Sequence, residues 1–195
     1  MNGGKRAKVI IGTVFAGSAL LTGCGSVDTQ SSAVKAVPAV GAIPGLMSPS
    51  GPPGGMASIE KAGTAALNSV EGSTLLSLQS ENDGKLWGVQ LAGPDGTERL
   101  LEVDASGKVV SDPRVKDTGT DEKSRVMGII KDSKLTYKDA AQKVQSSVPE
   151  GKITHLSQDR YGNDLLVWDA DVVTPDGTWH GVKVDAKDGT VTKNG

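Results

Sequence analysis

Cysteine and phenylalanine each occur once in this chain, at Cys24 and Phe15, and aromatic residues make up only 3% of it. A single thiol excludes any intramolecular disulfide and any metal site built from several thiolates. With phenylalanine confined to position 15, the core has to be built from valine, leucine, isoleucine and alanine, with Trp87, Trp168 and Trp179 as the large rings. That composition predicts small cores rather than one deep one. Histidine is scarce as well, limited to His155 and His180, and both fall in segments of strand character. No His-Glu-x-x-His, Gly-x-Ser-x-Gly or phosphate-binding loop is present; Gly107-Lys108 is followed by Val109 and lacks the upstream glycine. No catalytic residue, metal ligand or cofactor site is therefore assigned, and the chain is not expected to be an enzyme. A basic stripe is missing too, which argues against nucleic acid as a partner, because such binding rests on neutralising phosphates. Finally, the apolar run Val9–Leu21 is shorter than the roughly 20 residues needed to span a bilayer.

That short run is nonetheless informative in its setting. Lys5, Arg6 and Lys8 precede it, and Leu21-Thr22-Gly23-Cys24 closes it with small residues and the only cysteine. Cationic start, apolar middle and small-residue end are the three parts of a secretory signal. The ending reads as a lipobox, and here the chain resembles bacterial lipoproteins. The resemblance implies that residues 1–23 are a signal peptide, cut between Gly23 and Cys24. It also implies a diacylglyceryl thioether on Cys24, with palmitate-like chains holding the protein on the outer side of the cell membrane. Two or three acyl chains anchor far more firmly than one. Cleavage removes three basic residues and no acids, leaving 21 − 3 = 18 basic against 23 acidic residues, a charge of −5. Attachment to an anionic membrane is then covalent rather than electrostatic. Residues 24–57, rich in serine, alanine, glycine and proline, read as a disordered tether.

Beyond the tether the chain repeats itself. Ser58-Ile59 opens a segment with Ala62, Ala66 and Val70 on one helical face, and Thr136-Tyr137 opens another with Ala140, Val144 and Val148, each pair 78 positions apart. Ser58 and Thr136 are expected N-caps, and Asp139 gives the second a capping-box start. Further on the offset becomes 81. Trp87, Val89 and Leu91 alternate as Trp168, Ala170 and Val172 do, and Pro94-Asp95-Gly96-Thr97 returns as Pro175-Asp176-Gly177-Thr178. Proline fixes φ, aspartate bonds its local backbone and glycine accepts positive φ, so both tetrapeptides are turns between strands. Each copy continues through a second alternating strand to Val103-Asp104-Ala105 or Val184-Asp185-Ala186, then a glycine turn and a last short strand, Lys108–Val110 or Thr190–Thr192. Thr74–Leu78 and Ile153–Ser157 supply one strand more before the tryptophans. The change of offset from 78 to 81 places a three-residue insertion in the hairpin around Tyr161-Gly162-Asn163.

The expected class is α+β: two tandem units, each one helix packed on a three- or four-stranded antiparallel meander. The first unit spans residues 58–112 and the second 135–195. Residues 113–134 form a charged connector with a short helix around Val126, Met127, Ile129 and Ile130, weakened by Gly128. The free edges of the meanders are available either to an extended partner segment or to each other.

This arrangement resembles tandem PepSY domains. Trp87-Gly88-Val89 matches the family's aromatic-x-Val strand, and Val103-Asp104-Ala105-Ser106-Gly107-Lys108-Val109 matches its closing motif with one residue deleted. The second copy has the full length, Val184–Val191, but departs with Asp188, with Thr190 in place of lysine and with Ala170 in place of valine. The resemblance implies a non-catalytic extracytoplasmic module that holds a secreted or envelope peptidase in check. The alternative is a structural or sensory envelope lipoprotein that binds cell-wall material, a small ligand or an ion. The shared residues Trp87, Gly96, Asp104, Trp168, Gly177 and Asp185 are assigned to structure. Asp185 and Asp188 before Gly189 lack the ligand spacing of a calcium loop. The residues singled out for binding are Trp179 and His180. His180 shares the parity of Val182 and Val184 and caps the inner face. Trp179 has the opposite parity, as a contact platform or as packing against the other unit or the connector.

Overall fold

The computed structural model describes residues 55–116 and 119–194; the predicted signal, cleavage and lipid positions, Gly23 and Cys24 included, lie outside them, as does nearly all of the tether. The elements are α1 (Met56–Ser69), β1 (Thr74–Glu81), β2 (Leu86–Ala92), β3 (Glu98–Asp104), β4 (Arg114–Val115), α2 (Thr120–Asp132), α3 (Tyr137–Ser147), β5 (Lys152–Tyr161), β6 (Leu165–Val173), β7 (Trp179–Asp185) and β8 (Val191–Asn194). The mixed α+β class read from the sequence is the one observed.

Strand alternation explains the layers. Leu78, Trp87, Val89, Leu91, Leu101 and Val103 are buried on one face, and Leu156, Trp168, Ala170, Val172, Val182 and Val184 continue that face. Helix α1 covers β1–β3 with Ile59, Ala62 and Ala66, and α3 covers β5–β8 with Tyr137, Ala140 and Val144. Neither α1 nor α3 covers the opposite face, which is largely polar, a common state of antiparallel sheets; α2 reaches it only at its margin, where Arg125 meets Glu98.

The two meanders do not remain separate. They join edge to edge as one antiparallel sheet in the order β4-β3-β2-β1-β5-β6-β7-β8. At the seam Ser77 pairs with Ser157, Leu78 with Leu156 and Gln79 with His155. Leu78 and Leu156 are themselves 78 positions apart, so corresponding residues face each other across a local twofold. The same bulge also recurs, between Leu75 and Ser77 in β1 and between Ile153 and His155 in β5. The buried side chains form one continuous cluster rather than the two small cores that composition suggested. The seam is the reason: pairing β1 with β5 brings Leu78 and Leu156 into the middle of a shared apolar face.

Local departures from the sequence reading have physical causes. Helix α1 starts at Met56, two residues before the expected cap, with Gly55 at the N-cap and no side-chain bond there. Ser58 sits inside the first turn instead, and its hydroxyl accepts the Trp87 indole N–H at 2.8 Å. Helix α3 starts as expected, with the full Thr136–Asp139 capping box. The insertion lengthens a hairpin rather than its loop: β5–β6 pairs out to Tyr161↔Leu165 around Gly162–Asp164, whereas β1–β2 closes at Glu81↔Leu86. The strand expected at Lys108–Val110 shrinks to a single bridge, Val103↔Val109. There the Ser111 hydroxyl takes the Glu102 N–H at 2.8 Å, Pro113 offers no N–H, and the chain rejoins the sheet only at β4. Helix α2 is a full 13 residues long. Gly128 does not break it and faces open space, while its carbonyl accepts from Arg160 at 3.3 Å.

Candidate functional site

The two Pro-Asp-Gly-Thr turns close β2–β3 and β6–β7, and they are built alike. Gly93 N–H donates to Thr97 O at 2.9 Å, as Thr174 N–H does to Thr178 O at 3.0 Å. The Asp95 and Asp176 carboxylates each accept the backbone N–H two residues on, both at 3.1 Å. Gly96 and Gly177 have φ of 77° and 84°, where a side chain is strained. The hydroxyl and amide of Thr97 lower the Asp95 carboxyl pKa. The Thr174 hydroxyl, then the Thr178 amide and hydroxyl, bring Asp176 down to about 2.

Their surroundings differ. Helix α2 lies on the first tip against Gly96, where Gly93, Gly96, Thr97 and Glu98 are buried, and Lys123 stands 3.7 Å from Asp95. Glu98 is wholly buried, with Lys116 Nζ at 2.7 Å and Arg125 at 3.7 Å from its carboxylate. On the second tip residues 175–179 are all exposed. Trp179 stands where Glu98 stands in the first half and is 65% exposed. Strand β7 turns it to the open face with Gly181 and Lys183, in keeping with its parity. His180 is half-buried and borders an open recess of about 400 Å³ with Glu150, Pro175 and Asp176.

The remaining residues singled out by sequence have local tasks. Trp87 and Trp168 are fully buried, and Trp168 donates its indole N–H to Leu135 O at 3.2 Å. Asp104 accepts the N–H groups of Ser106 and Lys108 at 2.9 and 3.0 Å, closing the Gly107 turn; the Ser106 hydroxyl is the largest cause of its lowered pKa. Asp185 does the same for Lys187 and Asp188 at 2.7 and 3.3 Å.

On the open face, Lys183 Nζ lies 3.1 Å from Tyr161 Oη, 3.2 Å from Asp169 and 4.2 Å from the Tyr161 ring centre. Tyr161 Oη donates to Asp169, and holding that proton against the carboxylate raises the phenol pKa. His155 Nδ1 is 3.8 Å from Asp171, a pairing that acts only when the imidazole is protonated. A polar cleft of about 890 Å³ runs past Glu98, Arg125, His155 and Tyr161. Among the described residues neither histidine is hydrogen-bonded to a hydroxyl nucleophile, and no three acidic or histidine side chains converge as a metal site. What this surface offers chemically is contact: an exposed indole, fixed carboxylates and, at β8, a strand edge.

Sequence reasoning missed the burial of Glu98 and the cover supplied by α2. The signal available was the apolar spacing of Val126, Met127, Ile129 and Ile130, which shows a stripe but not what lies beneath it.

Among the described residues no helix is long and apolar enough to cross a membrane. No curated protein matches the chain. The crystal structure at 1.85 Å of a candidate lipoprotein from Clostridium difficile 630 aligns over 70% of this chain and 93% of that one, with a TM-score of 0.45 and 18% identity. Residues 134–194 match the family described as peptidase propeptide and YPEB domain. A PepSY domain therefore occupies the second half of the sheet, with α3 and β5–β8.

Proposed function

We propose that this chain is a non-catalytic, lipid-anchored extracytoplasmic binding module that restrains a secreted or envelope peptidase. The observation that carries the reading is the PepSY match over residues 134–194, whose family description is that of a peptidase propeptide. In this reading the first half is a second, more diverged PepSY unit. The recurrence of the β1 bulge in β5, the two like-built turns and the twofold seam support that reading. Cys24 carries the lipid, and the tether holds the module off the membrane.

The seam also narrows the route by which a partner strand adds to the sheet. Strands β1 and β5 already pair with each other, so edge addition falls to β8, since β4 offers only two residues. Trp179 and His180, at the start of the neighbouring β7, are the contact residues beside that edge.

The test is kinetic. Secreted and envelope peptidases from the source cell are assayed with and without the purified chain, and slowing of at least one is the expected result. Trp179→Ala should weaken that slowing while leaving the folded state intact. If no peptidase is slowed and envelope pull-downs recover none, the reading fails. Cys24→Ala tests the anchor separately: the variant should leave the membrane fraction and lose the mass of the lipid.

A further inference from the structure

In the first half, α2 is pressed so closely on the turn that a Cβ at Gly96 would lie 2.5 Å from Lys123 O and 3.0 Å from Met127 Cγ. The helix buries Val126 and Ile129, and its Lys123 meets Asp95. The second tip has the same turn and none of this cover. A Cβ at Gly177 would meet nothing within 4 Å. Asp176 and Glu150 make no ion pair among the described residues, and they border one recess with Pro175 and His180. Trp179, turned to the open face, does not line that recess and is exposed at the position that Glu98 holds under α2.

From this contrast we infer that the β6–β7 tip is a docking site for a partner's short amphipathic helix bearing a lysine or arginine, seated there as α2 is seated on the β2–β3 tip. The inference rests on the reading of the chain as a binding module and gives that module its contact surface. Charge complementarity selects the occupant. The surface pairs the exposed Trp179 ring with Asp176, the counterpart of the Asp95 that Lys123 of α2 meets at 3.7 Å, so its complement is apolar and basic. A second copy would bring the same acids to the same place. The chain's own residues 24–54 hold one basic residue, Lys35, offset by Asp28. An outside helix supplies the missing charge and covers the indole.

The probe is a capped, dye-labelled peptide of the α2 sequence, Thr120–Asp132, with Arg125→Leu, because Trp179 replaces the Glu98 that Arg125 faces, and with Asp121→Asn and Glu122→Gln, so that the peptide is net basic. Titrated with the full chain and followed by anisotropy, it should bind saturably with a Kd on the order of 0.1–1 mM, since a free helix this short is marginally ordered. Asp176→Lys should weaken binding about fivefold, and Lys123→Gln in the peptide about threefold. Trp179→Glu should abolish binding, while Glu102→Lys on the open face should leave it unchanged. Failure to saturate, or equal binding to the Trp179→Glu chain, overturns the inference. A photo-crosslinker at Thr178 in intact cells gives a second reading. Capture on a basic amphipathic helix supports it; capture of residues 24–54 or of a second copy overturns it. If a peptidase is slowed but the peptide does not bind, this inference falls and the function stands; the reverse result separates them the other way.

Discussion

The β2–β3 and β6–β7 hairpins share a tetrapeptide, a hydrogen-bond pattern and a left-handed glycine, yet one tip is buried and the other bare. Glu98 is wholly enclosed beneath α2, and Trp179 at the corresponding place is 65% exposed. Ordinary folding would bury the indole and expose the carboxylate, because burial favours apolar surface and penalises charge. The inversion shows that turn and tip environment are specified separately. The turn comes from four local residues, and the environment from whichever distant segment covers it. Position 98 tolerates a charge because Lys116 and Arg125 bring two cations to it.

The largest expected effect reverses the charge beneath the cover. Glu98→Lys places an unpaired buried cation against Lys116 and Arg125, and should lower unfolding free energy by about 3–5 kcal/mol, as loss of a buried partner does elsewhere. Trp179→Lys, on the bare tip, should stay within about 0.5 kcal/mol of the parent. Urea denaturation of the two variants gives both numbers, and equal losses would break the contrast.

Glycine-to-alanine substitutions sharpen it. At Gly177 the cost comes from φ alone, about 1 kcal/mol. At Gly96 the same strain applies and the new methyl also meets the α2 backbone at 2.5 Å. The overpacking raises the total to about 2–3 kcal/mol. Thermal melts that rank Gly177→Ala below Gly96→Ala would mean that α2 yields to the methyl without cost.

How much of this was readable beforehand follows the range of each interaction. The Thr136–Asp139 cap, both turns and the strand alternation around Trp87 and Trp168 are local, and their residues announce them. Ser58 misled because a serine at a helix start signals a cap, whereas here its hydroxyl serves Trp87, 29 positions away. The seam was open in sequence, since the edges of β1 and β5 look the same whether they meet each other or a partner. The exposure of Trp179 was likewise undecided: parity turned it outward, and only the position of α2 tells which tip is covered. Glu98 passed unnoticed because a glutamate in an alternating strand reads as a surface residue.

The helix starts extend the comparison at smaller scale. Asp139 accepts from Thr136 N–H at 2.9 Å and closes the α3 box, while the matching position in α1 is Lys61, with no side-chain cap at Gly55. Asp139→Ala should cost about 1 kcal/mol and Lys61→Ala less than about 0.5 kcal/mol. The Thr136 side-chain and backbone bonds hold the Asp139 pKa below its ordinary value. A depressed folded-state pKa stabilises above the unfolded pKa and ceases to as pH falls through the folded one. The difference between the two variants should therefore shrink on acidification.

The smallest expected effect lies in the turns themselves, and it isolates their shared chemistry from their unlike surroundings. Asp176 is fully open to solvent, yet Thr174 and Thr178 keep its carboxyl ionised down to about 2. Asp95 is lowered by the equivalent Thr97 bonds, with a further contribution from Lys123 that Asp176 lacks. In an acid titration followed by amide chemical shifts, Thr178 N–H should hold its position below pH 4, where an ordinary aspartate is already titrating. It should move only near the Asp176 midpoint, at about 2. Both turns favour folding above the ordinary aspartate range and lose that contribution as pH falls through the lowered values. Asp176→Asn should remove the Thr178 titration and leave Thr97 untouched. If Thr97 and Thr178 move together in that variant, the tips are coupled through the sheet and are not the independent units that their opposite burial implies.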